Sequence, residues 1–387
     1  MSQSSVFVVE PKTGWDQVLQ YARPWNEMSA DNFMLSTFWM GNWWQAFGDH
    51  LEALATPSSG SRPKLAVGRV LDNDGRDCGF VPGYVSRTLF GRTYKLLASG
   101  SACSDYMRLL SRPSYSSDVG ETAAEWLASK SFQQQFGRLD TIEIEGSTSE
   151  ENSIRCMVDR LAKKGWAIEV NPIEGAWRTS LPASWDIFEK SIHKSRRRKV
   201  NKAKRLLADG TVKFSIINDP EHMEMFWPKF VALHQKRRAA LGQAGCFVDQ
   251  RFFLFLYNAT CRMMAARRAW ISVVHQGNDA IAANLIFTSN RTAFMYQSGM
   301  DTDRMDLEPG HLINTYSIKA AIESGYEVFD FLRGDEPYKE GWNADRIPLF
   351  RTRAFAPHFA ARLRQTAIAA GRSLKAWSAN LTNFARQ

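Results

Sequence analysis

Apolar and polar residues alternate along the chain with two different periods, and these periods predict its elements. In the first half, stretches rich in β-branched and aromatic residues and bounded by turns predict strands at 65–70, 79–85, 94–98, 140–145 and 166–170. Steps of three and four predict helices at 38–47, 119–130 and 150–163. The first half is therefore predicted to be a meander followed by helix, strand, helix and strand, with the tryptophans of 38–47 in the core.

A similar order returns in the second half. Helices are predicted at 185–207, 220–241 and 250–266, a three-stranded meander at 270–275, 280–288 and 292–298, and a helix at 309–324 before strand 328–332. The recurrence predicts an α/β (α+β) fold with two tandem domains, residues 1–175 and 176–355, joined near 171–180. We expect each domain to be a mixed sheet flanked by helices.

The segment 356–387 is a basic tail with five Arg or Lys residues and no acid. Its apolar residues recur at three- and four-residue steps, which predicts a C-terminal amphipathic helix with the stripe Leu363, Ala367, Ala370, Leu374, Trp377, Leu381 and Phe384. Such a helix docks on its own protein, dimerises or lies on a membrane as a peripheral contact. We favour docking, because stripes of this kind are most often buried within their own chain.

Composition narrows the class of protein. The 387 residues, 44% of them apolar, suffice for two domains of ordinary size. The net charge of +9 is concentrated, since nine Lys or Arg residues and no acid lie between Lys190 and Arg205. This local excess predicts an anionic partner, such as a phosphate-bearing cofactor, RNA or lipid headgroups, and we expect no DNA.

Cysteine and histidine usage and the N-terminal sequence indicate the compartment. The five cysteines form no Cys-x-x-Cys pair and the seven histidines show no metal-ligand spacing, which predicts reduced thiols and no metal. The N-terminus lacks the pattern of a secretory signal, and no apolar run approaches the ~20 residues of a membrane span. We therefore expect a cytoplasmic protein.

The densest group of ionisable residues surrounds the end of strand 328–332. Asp330 is a carboxylate within an apolar run, where it needs a partner or a shifted pKa. Gly334 and Pro337 end the strand, and the loop adds Asp335, Glu336, Tyr338, Lys339 and Glu340. Open α/β sheets tend to bind ligands at such strand ends. A surface turn with salt bridges among Arg333, Asp335 and Glu336 is the alternative.

The predicted helix at 309–324 begins with Pro309 and Gly310. The exposed amides of a helix N-terminus attract anions, and glycine allows the backbone to approach a pyrophosphate closely. Proline is also common at this position for conformational reasons alone. The pair is therefore a weak signal that gains weight only from its neighbours.

Several stretches of the second half occur in a recognisable order. They are Ser195-Arg196-Arg197-Arg198-Lys199, Leu233-His234 with Arg237 and Arg238, Tyr296-Gln297-Ser298-Gly299-Met300-Asp301, Pro309-Gly310, and 329–339. Together they resemble the acetyltransferase-like family that includes the cellulose-biosynthesis protein CelD. That family belongs to the GNAT superfamily and is similar to the FemAB-type aminoacyltransferases, which pair two GNAT-like domains. The resemblance covers about residues 25–355.

The resemblance implies an N-acyltransferase that moves an acyl group from acyl-CoA, or an aminoacyl group from tRNA, to an amine of a small molecule, glycan or peptide. It also implies a role in polysaccharide or cell-envelope biosynthesis. The chemistry needs a base, an acid and amide donors near the carbonyl. Candidate catalytic residues are Asp330, Asp335, Glu336 and Tyr338, with Tyr296 as an alternative acid. Candidate cofactor-binding residues are Tyr296, Ser298, Pro309, Gly310 and His311, and candidate substrate-binding residues are Arg197, Lys199, His234, Arg333, Lys339 and Trp342.

One departure leaves the donor open. GNAT enzymes usually hold the acyl-CoA pyrophosphate with an Arg/Gln-x-x-Gly-x-Gly/Ala loop, whereas this chain has Leu307-Glu308-Pro309-Gly310-His311. An aminoacyl-tRNA donor suits the basic segment between Lys190 and Arg205. A second hypothesis is a catalytically silent GNAT-like scaffold protein of an envelope polysaccharide machinery, with the tail helix as its contact.

Overall fold

The structure, a computed structural model, describes residues 7–49, 62–88, 91–100 and 104–368. Helices are α1 (Trp15–Leu19), α2 (Ala22–Met28), α3 (Thr37–Trp44), α4 (Ser116–Ala128), α5 (Lys130–Phe136), α6 (Asn152–Lys163), α7 (Trp185–Ser191), α8 (Lys194–Ala208), α9 (Pro220–Ala240), α10 (Gln250–Ala265) and α11 (Pro309–Glu323). Residues 359–368 are also helical. These elements alternate with strands in the order expected of an α/β fold.

Strands are β1 (Val8–Lys12), β2 (Lys64–Leu65), β3 (Val67–Leu71), β4 (Asp77–Val81), β5 (Gly83–Thr88), β6 (Gly91–Leu96), β7 (Leu110–Ser111), β8 (Thr141–Ser147), β9 (Ala167–Ser180), β10 (Lys213–Ile217), β11 (Ala269–Gln276), β12 (Asp279–Thr288), β13 (Thr292–Met300), β14 (Val328–Arg333) and β15 (Asp345–Phe355). A four-stranded sheet has the order β1-β3-β4-β7. An eleven-stranded sheet has the order β10-β11-β12-β13-β14-β9-β15-β8-β6-β5-β2. The sheets of the two halves are thus joined edge to edge.

The order of the large sheet is nearly symmetric about its centre. The long strands β9 and β15 pair antiparallel there. On one side of this pair, β9 pairs antiparallel with β14, and β14 pairs parallel with β13. On the other side, β15 pairs antiparallel with β8, and β8 pairs parallel with β6. Helical crossovers connect the two strands of each parallel pair: α11 lies between β13 and β14, and α4 and α5, preceded by β7, lie between β6 and β8. This internal symmetry is what two consecutive units of one architecture produce.

Aromatic residues of the first half pack on the sheet of the second half. Trp39 on α3 is fully buried and contacts the rings of Phe255, Phe287 and Tyr296. Phe33 stacks on Phe287 with ring centroids 4.7 Å apart. The prediction that the tryptophans of 38–47 belong to the core is confirmed. Their packing fixes the first half against the strands that carry the site.

Two predicted elements differ from the structure. The helix predicted at 185–207 is two helices, because Ile192 is extended and the His193 side chain accepts a hydrogen bond from the Ser195 amide, which starts α8 anew. The junction near 171–180 is part of the 14-residue strand β9. Within the described ranges, no helix combines the length and apolar character needed to cross a membrane.

Candidate functional site

Strands β13 and β14 separate part-way along their length. They pair in parallel only from Thr292 to Phe294 and from Val328 to Asp330. Beyond this point β13 continues to Met300 along β12, and β14 continues to Arg333 along β9. The facing edges of the two strands therefore form a V-shaped opening in the sheet.

A bulge lies on each strand where the opening begins. On β13 the extra residue is Tyr296, since Met295 and Gln297 face consecutive residues of β12. On β14 the extra residue is Phe331, and Leu332 has a φ of 57°, which is uncommon for a branched side chain. Bulges turn backbone groups out of the ladder, so the opening presents peptide groups to a ligand.

The N-terminus of α11 lies past the end of β13 and faces the basic helix α8. Glu308 is the N-cap residue, in the left-handed conformation. Its carboxylate contacts the ammonium groups of Lys199 at 2.5 Å and Lys202 at 3.4 Å. The sequence-predicted residues Lys199, Pro309 and Gly310 thus lie together, around a helix terminus that attracts anions.

His311, on the first turn of α11, is held by two neighbours. Its ring stacks on Trp342 with centroids 5.1 Å apart, and Arg196 lies over the same indole. Arg196 Nη1 lies 3.0 Å from His311 Nδ1, and arginine only donates, so Nδ1 accepts and Nε2 carries the proton. Burial and the Arg196 charge lower the pKa of His311 to about 3, so the ring is neutral. Its buried Nε2 has no hydrogen-bond partner among the described residues.

Asp330 lies at the last paired position before the opening and is fully buried. Its Oδ1 accepts from the Leu332 amide at 2.7 Å, and its Oδ2 accepts from Tyr106 Oη at 2.7 Å. Arg178 Nε lies 3.5 Å from Oδ2. Burial raises the pKa of Asp330 to about 6 despite these stabilising contacts. A carboxyl group with this pKa accepts a proton near neutral pH.

A cleft of about 400 Å³ between the two halves leads to this carboxylate. It is lined by Tyr106, Arg108, Arg178 and Asp330, together with residues 148–151 and the start of β13. The Arg178 guanidinium lies 4.5 Å from the centre of the Tyr106 ring, and its side chain is 40% exposed. Burial raises the pKa of Tyr106 well above its ordinary value, so its hydroxyl stays protonated. Tyr106 and Asp330 thus both line the cleft and are joined by a hydrogen bond.

The loop after β14 contains the other candidate catalytic residues. Asp335 is exposed and paired with Arg346 at 2.8 Å. Glu336 pairs with Lys339 at 2.9 Å, and the Lys339 ammonium, 2% exposed, also donates to the carbonyls of Leu332, Arg333 and Gly334. These contacts fix the end of β14, so Asp335, Glu336 and Lys339 have structural partners within the chain.

Tyr338 lies on the opposite side of β14 from Asp330. Its ring packs edge-on against Phe331, with centroids 6.2 Å apart, and its carbonyl oxygen accepts from Arg196 at 3.1 Å. Burial, followed by Glu336, raises the pKa of Tyr338 to about 12. The phenol is therefore protonated at neutral pH.

Arg333 joins the two halves of the protein. Its guanidinium contacts Asp105 at 2.8 Å and Glu145 at 3.0 Å, and its amide donates to Asp105 at 2.9 Å. Asp105 is fully buried. Because all these partners lie in the first half, the contacts of Arg333 within the chain are structural.

The other predicted binding residues lie on different elements. His234 on α9 is fully buried, lies 3.1 Å from Gln297 Oε1, and has its pKa lowered to about 4 by burial. Tyr296 packs in the aromatic cluster with Trp39, and Ser298 lies on β13 along the opening. Arg197 lies on α8, next to Arg196. His234, Tyr296 and Ser298 thus lie on or against β13, whereas Arg197 lies on a separate element.

Three important side chains were not proposed as site residues from the sequence. Arg196 lies in the basic run, but only the structure distinguishes its contacts with His311 and Trp342 from those of its neighbours. Tyr106 lies more than 200 residues from Asp330 in the sequence, so no local pattern connects the two. Arg178 has no local sequence signal on β9. Among the described residues, no group of His, Cys, Asp or Glu has an arrangement that could hold a metal ion.

The sheet order and the strand opening define an α/β fold. The sequence of residues 194–340 matches the acetyltransferase (GNAT) domain family, so this part of the chain carries a GNAT domain. No curated protein matches the sequence significantly.

Solved structures share the fold over most of the chain. FemX is similar with a TM-score of 0.57 at 11% identity, covering 88% of this chain and 96% of that one. A conserved protein of unknown function from Bacteroides thetaiotaomicron gives 0.56 at 12% identity, covering 90% and 100%. The C-terminal domain of a putative lysylphosphatidylglycerol synthetase from Agrobacterium fabrum gives 0.51 at 8% identity, covering 92% and 97%. At these identities the similarity concerns the fold alone.

Proposed function

We propose that this protein is an N-acyltransferase that moves an acyl group from a phosphate-bearing donor to an amine. The observation that carries the proposal is the opening between β13 and β14, which leads to the N-terminus of α11. Acyl-CoA and aminoacyl-tRNA are the two donor classes considered, and either supplies an activated acyl carbonyl. The division into domains 1–175 and 176–355 and the tail 356–387 is part of this proposal.

The residues around α11 suit the phosphate groups of such a donor. Arg196, Lys199 and Lys202 provide three cations beside the first turn of the helix, and His311 Nε2 provides a buried donor without a partner among the described residues. Charge-assisted hydrogen bonds of this kind are the strong ones. The amides along β13 would bind the acyl carbonyl oxygen.

The acceptor amine is proposed to bind in the cleft between the two halves. As the amine nitrogen attacks the carbonyl, its proton passes to Tyr106 Oη, whose own proton moves to Asp330. The carbon–nitrogen bond forms, the bond to the leaving group breaks, and Tyr338 supplies the proton that the leaving group takes up. Base and acid thus stand on opposite sides of β14.

One observation favours the alternative of a catalytically silent scaffold. The Glu308 carboxylate contacts Lys199 and Lys202, the cations that a donor phosphate would use. A silent member would keep this contact permanently, whereas an enzyme would exchange it for the donor.

The proposed acceptor class is an amine of a small molecule, glycan or peptide in polysaccharide or envelope assembly, within the cytoplasm.

A product assay tests the proposal. The protein is incubated with acetyl-CoA, with longer acyl-CoAs or with aminoacyl-tRNA, each with amino sugars and peptide amines, and amide products are sought by mass spectrometry. We expect one donor to give a product that disappears in Asp330→Asn. The scaffold hypothesis is correct if no donor is consumed, if Asp330→Asn keeps its cellular function, and if deletion of 356–387 abolishes that function.

A further inference from the structure

The helical segment 359–368 is fixed to the protein along one side. Ala361 is fully buried. Arg362 Nη2 donates to the Gly165 carbonyl at 2.9 Å, and Gln365 Nε2 donates to Glu169 at 3.2 Å. These contacts hold the helix against the first half of the chain, next to the end of α6 and the start of β9.

The opposite side of this segment is apolar and exposed. Phe359 is 79% exposed and Leu363, one turn later, is 55% exposed. Ala367, on the next turn, is also exposed. Leu363 and Ala367 begin the apolar stripe predicted from the sequence. Within the described residues, the stripe therefore faces away from the protein, and the expectation that it docks on its own chain is wrong there.

A cationic cavity opens at the start of the same segment. It has a volume of about 420 Å³, and its lining includes Pro357, His358, Arg138, Lys164 and Trp166. None of the described residues that line it is acidic. Groups around the cavity contact two of the lining side chains: Lys164 pairs with Glu125 at 2.6 Å, and His358 Nε2 lies 3.1 Å from the Leu139 carbonyl oxygen and 3.6 Å from Asp140. The cavity thus combines the cations Arg138 and Lys164 with an indole, and its lining residue His358 directly precedes the exposed Phe359.

We propose that this face, formed by Phe359, Leu363 and the cavity of Arg138 and Lys164, binds the surface of a bilayer that contains anionic lipids. Phe359 and Leu363 enter the boundary of the acyl chains, and the cavity receives a phosphate headgroup. Interfacial helices combine an apolar side with cations in this way. The five Arg or Lys residues of 356–387, unaccompanied by an acid, add electrostatic attraction to anionic headgroups.

A second copy of the chain suits this face less well. A symmetric dimer places the same patch on both subunits. Here that contact would bring Arg138, Lys164 and the basic tail of one subunit against those of the other, and like charges repel. The excess positive charge therefore favours the anionic lipid surface.

Sedimentation of the full chain with lipid vesicles tests the proposal. We expect binding to phosphatidylcholine vesicles that contain phosphatidylglycerol, little binding to phosphatidylcholine alone, and weaker binding at high salt. Phe359→Asp and Leu363→Asp each lower the partition coefficient about ten-fold or more, because each removes a buried apolar side chain from the interface. Arg138→Gln lowers it about five-fold.

Met225→Asp is the matched control, since Met225 is 67% exposed on α9, far along the chain. We expect it to leave vesicle binding unchanged. Equal binding to both vesicle types, or full binding by Phe359→Asp with a native circular dichroism spectrum, would overturn the proposal. A third result would also overturn it: the protein forms a dimer, and Phe359→Asp dissociates the dimer without changing vesicle binding. In that case the face is a contact between two copies of the chain.

Discussion

Replacing Asp330 by asparagine should separate stability from activity. The carboxyl is fully buried, and burial raises its pKa from 3.8 to about 6. One pKa unit corresponds to about 1.4 kcal/mol, so ionising Asp330 costs the folded protein about 3 kcal/mol relative to the unfolded chain. Asparagine has nearly the same shape and carries no charge, and it retains an acceptor for the Leu332 amide.

The direction in which stability changes with pH follows from proton binding by Asp330. Between about pH 4 and about pH 6 the folded protein holds the Asp330 proton more tightly than the unfolded chain does. Its contribution to stability is therefore fully present below the unfolded pKa and is lost as the pH rises through about 6. We expect Asp330→Asn to be more stable than the natural protein by about 1 to 3 kcal/mol at about pH 8 and to show no gain at about pH 4.

Urea unfolding followed by tryptophan fluorescence at the two pH values measures this difference. The same variant should transfer acyl groups about 100- to 10,000-fold more slowly, because it cannot take the amine proton. Asp335→Asn is the matched exposed carboxylate, and we expect its stability to change by less than about 1 kcal/mol. If Asp330→Asn is less stable than the natural protein at about pH 8, ionised Asp330 does not destabilise the folded protein. If the variant keeps its full rate, Asp330 is not the base.

Three further predictions follow from the contacts. Arg333→Ala leaves Asp105 buried without its cation and should lower the free energy of unfolding, measured with urea, by about 3 to 5 kcal/mol. Arg346→Ala breaks the exposed pair with Asp335 and should lower it by less than about 1 kcal/mol. Equal losses would refute the role of Arg333. Glu308→Gln releases Lys199 and Lys202 and should tighten binding of whichever donor binds, acyl-CoA or aminoacyl-tRNA, about three- to ten-fold. Unchanged affinity for that donor would show that these lysines do not contact it. The rate of acyl transfer should fall as the pH drops through about 6, and a pH-independent profile would exclude Asp330 as base.

The order of elements was predictable because each follows local rules of periodicity and capping. The recurring meander, helix and strand indicated two similar units, and the GNAT domain at 194–340 agrees with the family resemblance. The joining of the two sheets was not predictable. It depends on β9 and β15 pairing across the centre, and pairing between strands so distant in sequence has no local pattern.

The candidate site was predictable only where its residues have a local signal in the sequence. Pro309, Gly310 and Lys199 meet because a helix terminus and a basic helix each have a local signal. Arg178 and Tyr106 complete the surroundings of Asp330 through contacts across the two halves, which no short stretch encodes. The split of the helix predicted at 185–207 depends on a cap by His193, a residue type that is uncommon in this role.

Titration of acyl donors into the full chain shows whether the α11 terminus binds a donor. Acetyl-CoA binding is measured by calorimetry and aminoacyl-tRNA binding by gel shift, for the natural protein, Arg196→Ala and Arg198→Ala. Arg196 contacts His311 and Trp342 at the α11 terminus, whereas Arg198 is an exposed cation of the same helix. We predict that one donor binds, that Arg196→Ala weakens its binding about ten-fold or more, and that Arg198→Ala changes it by less than about three-fold. Binding of neither donor, or equal effects of the two substitutions, would contradict the account.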